Sequence, residues 1–188
     1  YKAFIAQAKE LNLEVVAEES YGKDAVDFQA QLTNIASKKP DVLFVPDYYK
    51  VLANVAPQAK SAGVTATLLG GDGWASVMDV IQESSVLEGA YFCSGYSTQD
   101  TSEAVQTFLK NYKAKYNVEP NMFAAQAYDA AAILCAALSK AEEAKLTAGS
   151  DEYKQAVIDA MRATDMDCVT GHITFDDYNN PQKTAVII

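Results

Sequence analysis

Histidine and cysteine are scarce in this chain, with one and three among 188 residues, and that scarcity removes several chemistries at once. A lone His172 cannot complete a zinc site or a Ser-His-Asp triad, and Cys93, Cys135 and Cys168 fall at no metal-ligand spacing. The odd thiol count leaves the compartment unread and leaves Cys93 and Cys168 open as a disulfide pair. Cys135, in an alanine-rich run, is expected to be a small buried hydrophobe. Basic charge is short as well: 15 Lys and Arg against 25 Asp and Glu give a net charge of −10, which argues against a nucleic-acid partner. No uninterrupted apolar run reaches ~18 residues, so no membrane span is expected. No basic-then-apolar leader opens the chain, so a targeting segment is expected to have been removed or never present. Repeats and low-complexity stretches are missing too. No nucleophile stands beside a base, and Gly70-Gly71-Asp72-Gly73 has neither the lysine of a phosphate loop nor G-x-G-x-x-G spacing. Neither a catalytic residue, a metal nor a cofactor is therefore expected.

A chain that is 49% hydrophobic and 21% charged is globular and long enough for one or two domains. Phe4, Ala8 and Leu11 mark one face of a helix that has no capping residue before it, as though the chain starts inside an element. Glu14 to Glu18 reads as a short strand. A helix with Phe28, Leu32 and Ile35 on one face follows, with Asp24 or Asp27 placed to cap it. Asp41 to Val45 reads as a strand buried on both faces, and a helix through Val51, Leu52, Val55 and Ala59 leads to the strand at Thr67–Leu69. A helix over 75–83 and a strand within 89–95 complete an alternation typical of an α/β, doubly wound parallel sheet. Beyond Thr98 the rhythm changes to three helices, 102–116, 121–144 and 151–163, with no strand between them. Gly171–Phe175 and Thr184–Ile188 then read as a β-hairpin. The expected domains are an α/β lobe at 1–97, helices of another lobe at 98–165, and a hairpin at 166–188 returning to the first.

The chain is organised around Leu68-Leu69-Gly70-Gly71-Asp72-Gly73-Trp74. An apolar strand stops at glycines that permit a close approach, then presents a carboxylate and the only tryptophan. In an open parallel sheet, ligands bind beyond the carboxyl ends of the strands. Tyr48 and Tyr49 follow the preceding strand and Tyr96-Ser97 the next, so three strand ends converge on one edge. One carboxylate, several phenols and an indole suit an ammonium group with an apolar tail, which makes this a binding set more than a catalytic one. The competing structural reading gives Asp72 to the cap of the 75–83 helix and makes Tyr48 an exposed aromatic at a helix start.

In these segments the sequence resembles the type I periplasmic-binding proteins, in particular the leucine/isoleucine/valine-binding proteins of ABC transporters. The likeness rests on Asp27-Phe28 with Leu32, Pro40-Asp41-Val42-Leu43-Phe44-Val45 before Tyr48-Tyr49, Leu69 to Trp74, Glu88-Gly89, Ala127-Tyr128-Asp129-Ala130, and Gly171 to Asp176. The resemblance implies that Asp72 takes the α-ammonium of an amino acid, that Tyr48 lines the same pocket wall, and that Phe123 adds an aromatic wall where relatives carry tyrosine. The expected ligand-binding set is thus Asp72, Tyr48, Trp74, Tyr49, Phe123 and Tyr96. It also implies a two-lobed parent of which this chain is the C-terminal portion, with the first strand of its α/β lobe lying before Tyr1.

The function expected from the resemblance is capture of a branched-chain or similar amino acid outside the cytoplasm and delivery to an ABC transporter permease. The location would be periplasmic or lipid-anchored at the cell surface. A ligand-sensing domain of a receptor or transcriptional regulator is the alternative on the same fold. The nearly apolar 123–138 helix, lacking a sheet to cover, leads to the expectation that the isolated chain either self-associates through its helices or leaves them mobile relative to a better-ordered sheet.

Overall fold

In the computed structural model, which describes residues 1–188, the apolar run after Pro40 forms β1 (Val42–Val45), followed by α3 (Tyr49–Ser61) and β2 (Thr67–Gly70). Two helices precede them, α1 (Lys2–Glu10) and α2 (Gln29–Lys38); β3 (Tyr91–Ser94) follows. β1, β2 and β3 are parallel, with Val45 opposite Gly70 and Gly70 opposite Phe92, and β7 (Val186–Ile187) flanks β3. Next to β7, Phe92 and Ile188 exchange both backbone hydrogen bonds at 3.0 Å. This is the doubly wound parallel arrangement read from the sequence. Leu52, Val55, Ala56 and Ala59 recur at helical spacing on α3 and are all buried, sharing one core with Phe28 and Leu32 of the α2 segment, Val45, Leu68 and Trp74. Asp27 starts α2 by accepting the Gln29 N–H at 2.9 Å.

Two elements depart from the sequence reading. Residues 75–83 do not form an α-helix; they hold one short 3₁₀ turn at Val77–Asp79, flanked by others at Asp72–Trp74 and Ser84–Leu87. Ser76 sits at φ 71°, in the left-handed region, which breaks any helix started at Asp72. Glu14 to Glu18 pairs with no strand. Its extended chain and the free edge of β1 instead flank a cavity of about 1010 Å³ whose lining includes Phe4, Ala8, Val15, Leu32, Val42 and Phe44. Val42 is 42% exposed despite its apolar run. A strand is stabilised by its neighbours, and β1 has one on its β2 side alone while Glu14 to Glu18 has none. Leu11, expected on the buried face of α1, is exposed just past the helix end.

The chain divides into two compact units, Tyr1–Cys93 with Ile187–Ile188, and Ser94–Val186. The second holds α4 (Glu103–Tyr116), α5 (Met122–Glu143) and α6 (Asp151–Arg162), each begun by a side-chain cap from Ser102, Asn121 and Ser150. It also has a sheet the sequence reading missed: β4 (Asp165–Cys168), β5 (Gly171–Phe175) and β6 (Pro181–Gln182), antiparallel in that order. The hairpin assigned to 171–175 and 184–188 is thereby corrected. β5 pairs with β4 across the turn at Val169-Thr170 and with β6 on its other edge, while Val186–Ile187 lies beside β3. Buried Asp129 accepts the N–H groups of Val169 at 2.9 Å and Thr170 at 2.7 Å, fixing that turn against α5. α5 is long and apolar enough to cross a membrane, but a buried, hydrogen-bonded aspartate in its middle marks a packed helix. All three cysteines are free thiols. Cys135 is exposed, a correction that follows from its position off the buried stripe of Met122, Ala125, Asp129, Ile133, Ala137 and Ala141.

Candidate functional site

Because β1 and β2 are parallel and in register, Asp47-Tyr48 and Gly71-Asp72 leave the sheet at the same edge. Gly73 draws them together. A Cβ there would stand 2.9 Å from the Asp47 carbonyl oxygen and 3.3 Å from a Tyr48 ring carbon, so only glycine lets the chain after β2 pass so closely. Tyr48 opens α3 and is 65% exposed, with its N–H donating to the Asp47 carboxylate at 2.7 Å. Asp72 is exposed, and its carboxylate makes no hydrogen bond or ion pair. A solvated acceptor, an aromatic face and glycine backbone thus share one corner. That set can bind a cation.

Trp74 does not stand in that corner. It is 1% exposed, its indole N–H donates to the Val45 carbonyl at 3.0 Å, and its ring lies across the Cα of Gly70 where any Cβ would collide. It also meets Phe92 with ring centroids 6.3 Å apart. The expectation of an exposed pocket wall is corrected: an indole beside two glycines gains more by filling the space they leave, with its one donor satisfied, than by standing in water. Its role is to fix the turn that carries Asp72. Tyr49 is half-buried against the same core, and the Lys50 ammonium lies 5.9 Å from its ring centroid.

A periplasmic binding protein profile matches residues 1–188. The chain belongs to the periplasmic binding protein family. Among solved structures, the leucine-binding protein LivK of Thermotoga maritima is 27% identical with a TM-score of 0.85, over 99% of this chain and 51% of that one. The branched-chain amino acid transporter substrate-binding protein LivJ of Streptococcus pneumoniae, solved with isoleucine, is 30% identical with a TM-score of 0.75, over 100% and 52%. A solute-binding protein of R. palustris, solved with benzoate, shares the fold at 21% identity and a TM-score of 0.85, over 99% and 50%. No curated protein matches. The chain spans about half the length of these solved relatives.

In this periplasmic binding protein, Tyr96 and Phe123 belong to the second unit, apart from the four residues above. Phe123 is 38% exposed in the first turn of α5. Tyr96 is buried edge-on to Phe108 at 6.2 Å, and its hydroxyl has no hydrogen-bond partner. Burial, followed by the charge of Glu119, pushes that phenol's pKa up. Sequence reasoning missed Asp47 and Tyr21. The Tyr21 hydroxyl donates to Asp47 at 2.7 Å, and burial together with that bond holds the phenol well above its ordinary range. Asp47 therefore clamps the backbone that presents Tyr48. An aspartate directly before a helix-opening tyrosine was its visible signal.

Proposed function

We propose that this chain is the C-terminal part of an extracytoplasmic solute-binding protein that captures an amino acid, branched-chain or similar, between two lobes and hands it to an ABC transporter permease. In this reading the protein is not an enzyme; it is periplasmic or lipid-anchored at the cell surface. Residues 1–97 supply most of an α/β lobe, and the open edge of β1 receives a further strand from the longer polypeptide. The observation that carries the reading is the unpartnered Asp72 carboxylate at the end of β2, beside Tyr48 across Gly73. An ammonium there would gain a charge-assisted hydrogen bond and an aromatic face. The leucine- and branched-chain-binding relatives support the ligand class.

The test is calorimetry on the full-length parent with leucine, isoleucine and valine. Removing a charged acceptor from a desolvated cleft costs a few kcal/mol, so Asp72→Ala should weaken binding by roughly a hundredfold or more. An Asp72→Ala parent that binds these amino acids as tightly as wild type, or a wild-type parent that binds none of them, would overturn the assignment.

A further inference from the structure

The polypeptide passes between the two units twice, at Cys93–Ser94 and at Val186–Ile187. On the second unit's side, the two connecting segments are far apart in sequence yet meet at one side chain. Lys183, three residues before the second passage, lies against the backbone of Gly95, one residue after the first. A Cβ on Gly95 would stand 3.0 Å from the Lys183 Nζ and 3.2 Å from its Cε. The same ammonium donates to the hydroxyl of buried Thr170. Thr170 in turn donates its N–H to Asp129, the buried carboxylate of α5. A chain of contacts therefore runs from the first connection, through Lys183 on the second, to the β4–β5 turn and the middle of α5.

The flanking backbone is tied down as well. Ser94 Oγ donates to the Tyr96 carbonyl at 2.7 Å and accepts the Tyr96 N–H at 3.2 Å, closing a small loop around Gly95. The other connection runs past Gly171, where an added Cβ would lie 3.3 Å from the Thr184 hydroxyl. Lys183 and Asp129 both act on the nearby Cys168 thiol, the lysine lowering its pKa and the aspartate raising it, while burial dominates and leaves it raised. Thr170 and Asp129 are both buried, so the hydroxyl that takes the Lys183 ammonium and the carboxylate that takes the Thr170 N–H would stay desolvated if they lost those partners.

We propose that Lys183 is a positioning residue that straps both inter-unit connections to the Thr170–Asp129 anchor, so that flexing of the connections is confined to the few bonds beyond it, next to Cys93 and Ile187. Hinges work by concentrating backbone rotation in a few element-terminal residues, and a strap on one side determines which residues those are. The proposal concerns the connections alone and stands or falls independently of the ligand.

The test is amide hydrogen exchange on the full-length parent, resolved by segment, comparing wild type with three variants that break the strap differently. Lys183→Met removes the ammonium and keeps the stem. Thr170→Val removes the acceptor and keeps the N–H to Asp129. Gly95→Ala leaves every partner in place and pushes Lys183 aside. All three should speed exchange at both 94–97 and 183–186, by about tenfold or more where one charge-assisted hydrogen bond is lost, with α5 and β4–β5 unchanged. Response in Lys183→Met limited to its immediate neighbours, with Gly95 to Ser97 unaltered, would overturn the strap. So would a uniform rise over the whole second unit, which would mark Lys183 as an ordinary fold-stabilising residue. Should Thr170→Val unfold the unit, Lys183→Met and Gly95→Ala still decide the question.

Discussion

Replacing Trp74 by alanine should destabilise the first unit far more than replacing Tyr48, although both aromatics flank the same turn. Trp74 is 1% exposed within the core shared by α2, α3, β1 and β2, whereas Tyr48 is 65% exposed. Emptying a buried indole site costs about 3–5 kcal/mol in lost transfer energy and residual cavity. The hydrogen bond to Val45 adds about 1 kcal/mol and no more, because that carbonyl also accepts the Asp47 N–H at 2.9 Å and is not orphaned. The expected total of about 4–6 kcal/mol is a large share of an ordinary domain's stability, while Tyr48→Ala should stay within about 1 kcal/mol. Urea unfolding followed by circular dichroism reads the difference; at a slope near 2 kcal/mol/M the midpoint should fall by roughly 2 M or more for Trp74→Ala. Gly70→Ala supplies an internal control. Its Cβ would enter the indole ring, costing about 1–3 kcal/mol by overpacking, and that cost should vanish in a Trp74→Ala background. If Trp74→Ala unfolds no more easily than Tyr48→Ala, or Gly70→Ala costs the same with and without the indole, the placement of Trp74 in the core is refuted.

Two further outcomes are expected. His172, the only histidine, lies with Nδ1 2.7 Å from Asp167 and Nε2 2.9 Å from Asp165, and the hydrogen bond to Asp167 is the largest cause of a raised pKa, with burial opposing and Asp165 assisting. A raised folded-state pKa means that its contribution to stability is complete below the unfolded value near 6.5 and is lost as pH rises through the folded value. An imidazole NMR titration should give a midpoint above that ordinary value, reduced more by Asp167→Asn than by Asp165→Asn; a midpoint at or below it would contradict the geometry. Asp129→Ala should cost the second unit roughly 2–6 kcal/mol, since two buried N–H groups lose their acceptor, and a change in urea midpoint worth under about 0.5 kcal/mol would show that the turn finds other partners.

The corner made by Tyr48 and Asp72 was legible because parallel register converts sequence order into spatial order: two consecutive strands that end in polar residues must end at one edge. Trp74 was not legible in the same way. A tryptophan after two glycines can face solvent or fold back over them, and the choice depends on the space left beside Val45 and Phe92, which are 29 residues before it and 18 after it. β4 escaped for a related reason. Asp165-Met166-Asp167-Cys168 is short and half acidic, and its pairing with β5 leaves both aspartates beside His172, a compensation visible only once the register is known. Its faint signal was the alternation of Met166 and Cys168 with those aspartates.

The unpaired Glu14–Glu18 segment and the half-exposed β1 line the same cavity. Val42-Leu43-Phe44-Val45 has the composition of a strand buried on both faces with a neighbour at each edge, but β2 supplies only one neighbour. In the parallel ladder the main-chain groups of Leu43 and Val45 alternate with those of Val42 and Phe44, so when one set bonds β2 the other points to the open edge. Asp41 accepts the Thr67 N–H, which assigns the odd-numbered residues to β2 and leaves Val42 and Phe44 facing the cavity that Val15 also lines. Edges are normally blunted by charge, proline or a bulge, and within β1 none of these is present. The strand read at Asp41 to Val45 therefore formed beside β2, and the one read at Glu14 to Glu18 did not, because β structure, unlike a helix, takes its hydrogen bonds from a neighbouring strand. α1, whose bonds are internal, forms beside the same cavity with only Ala8 fully buried.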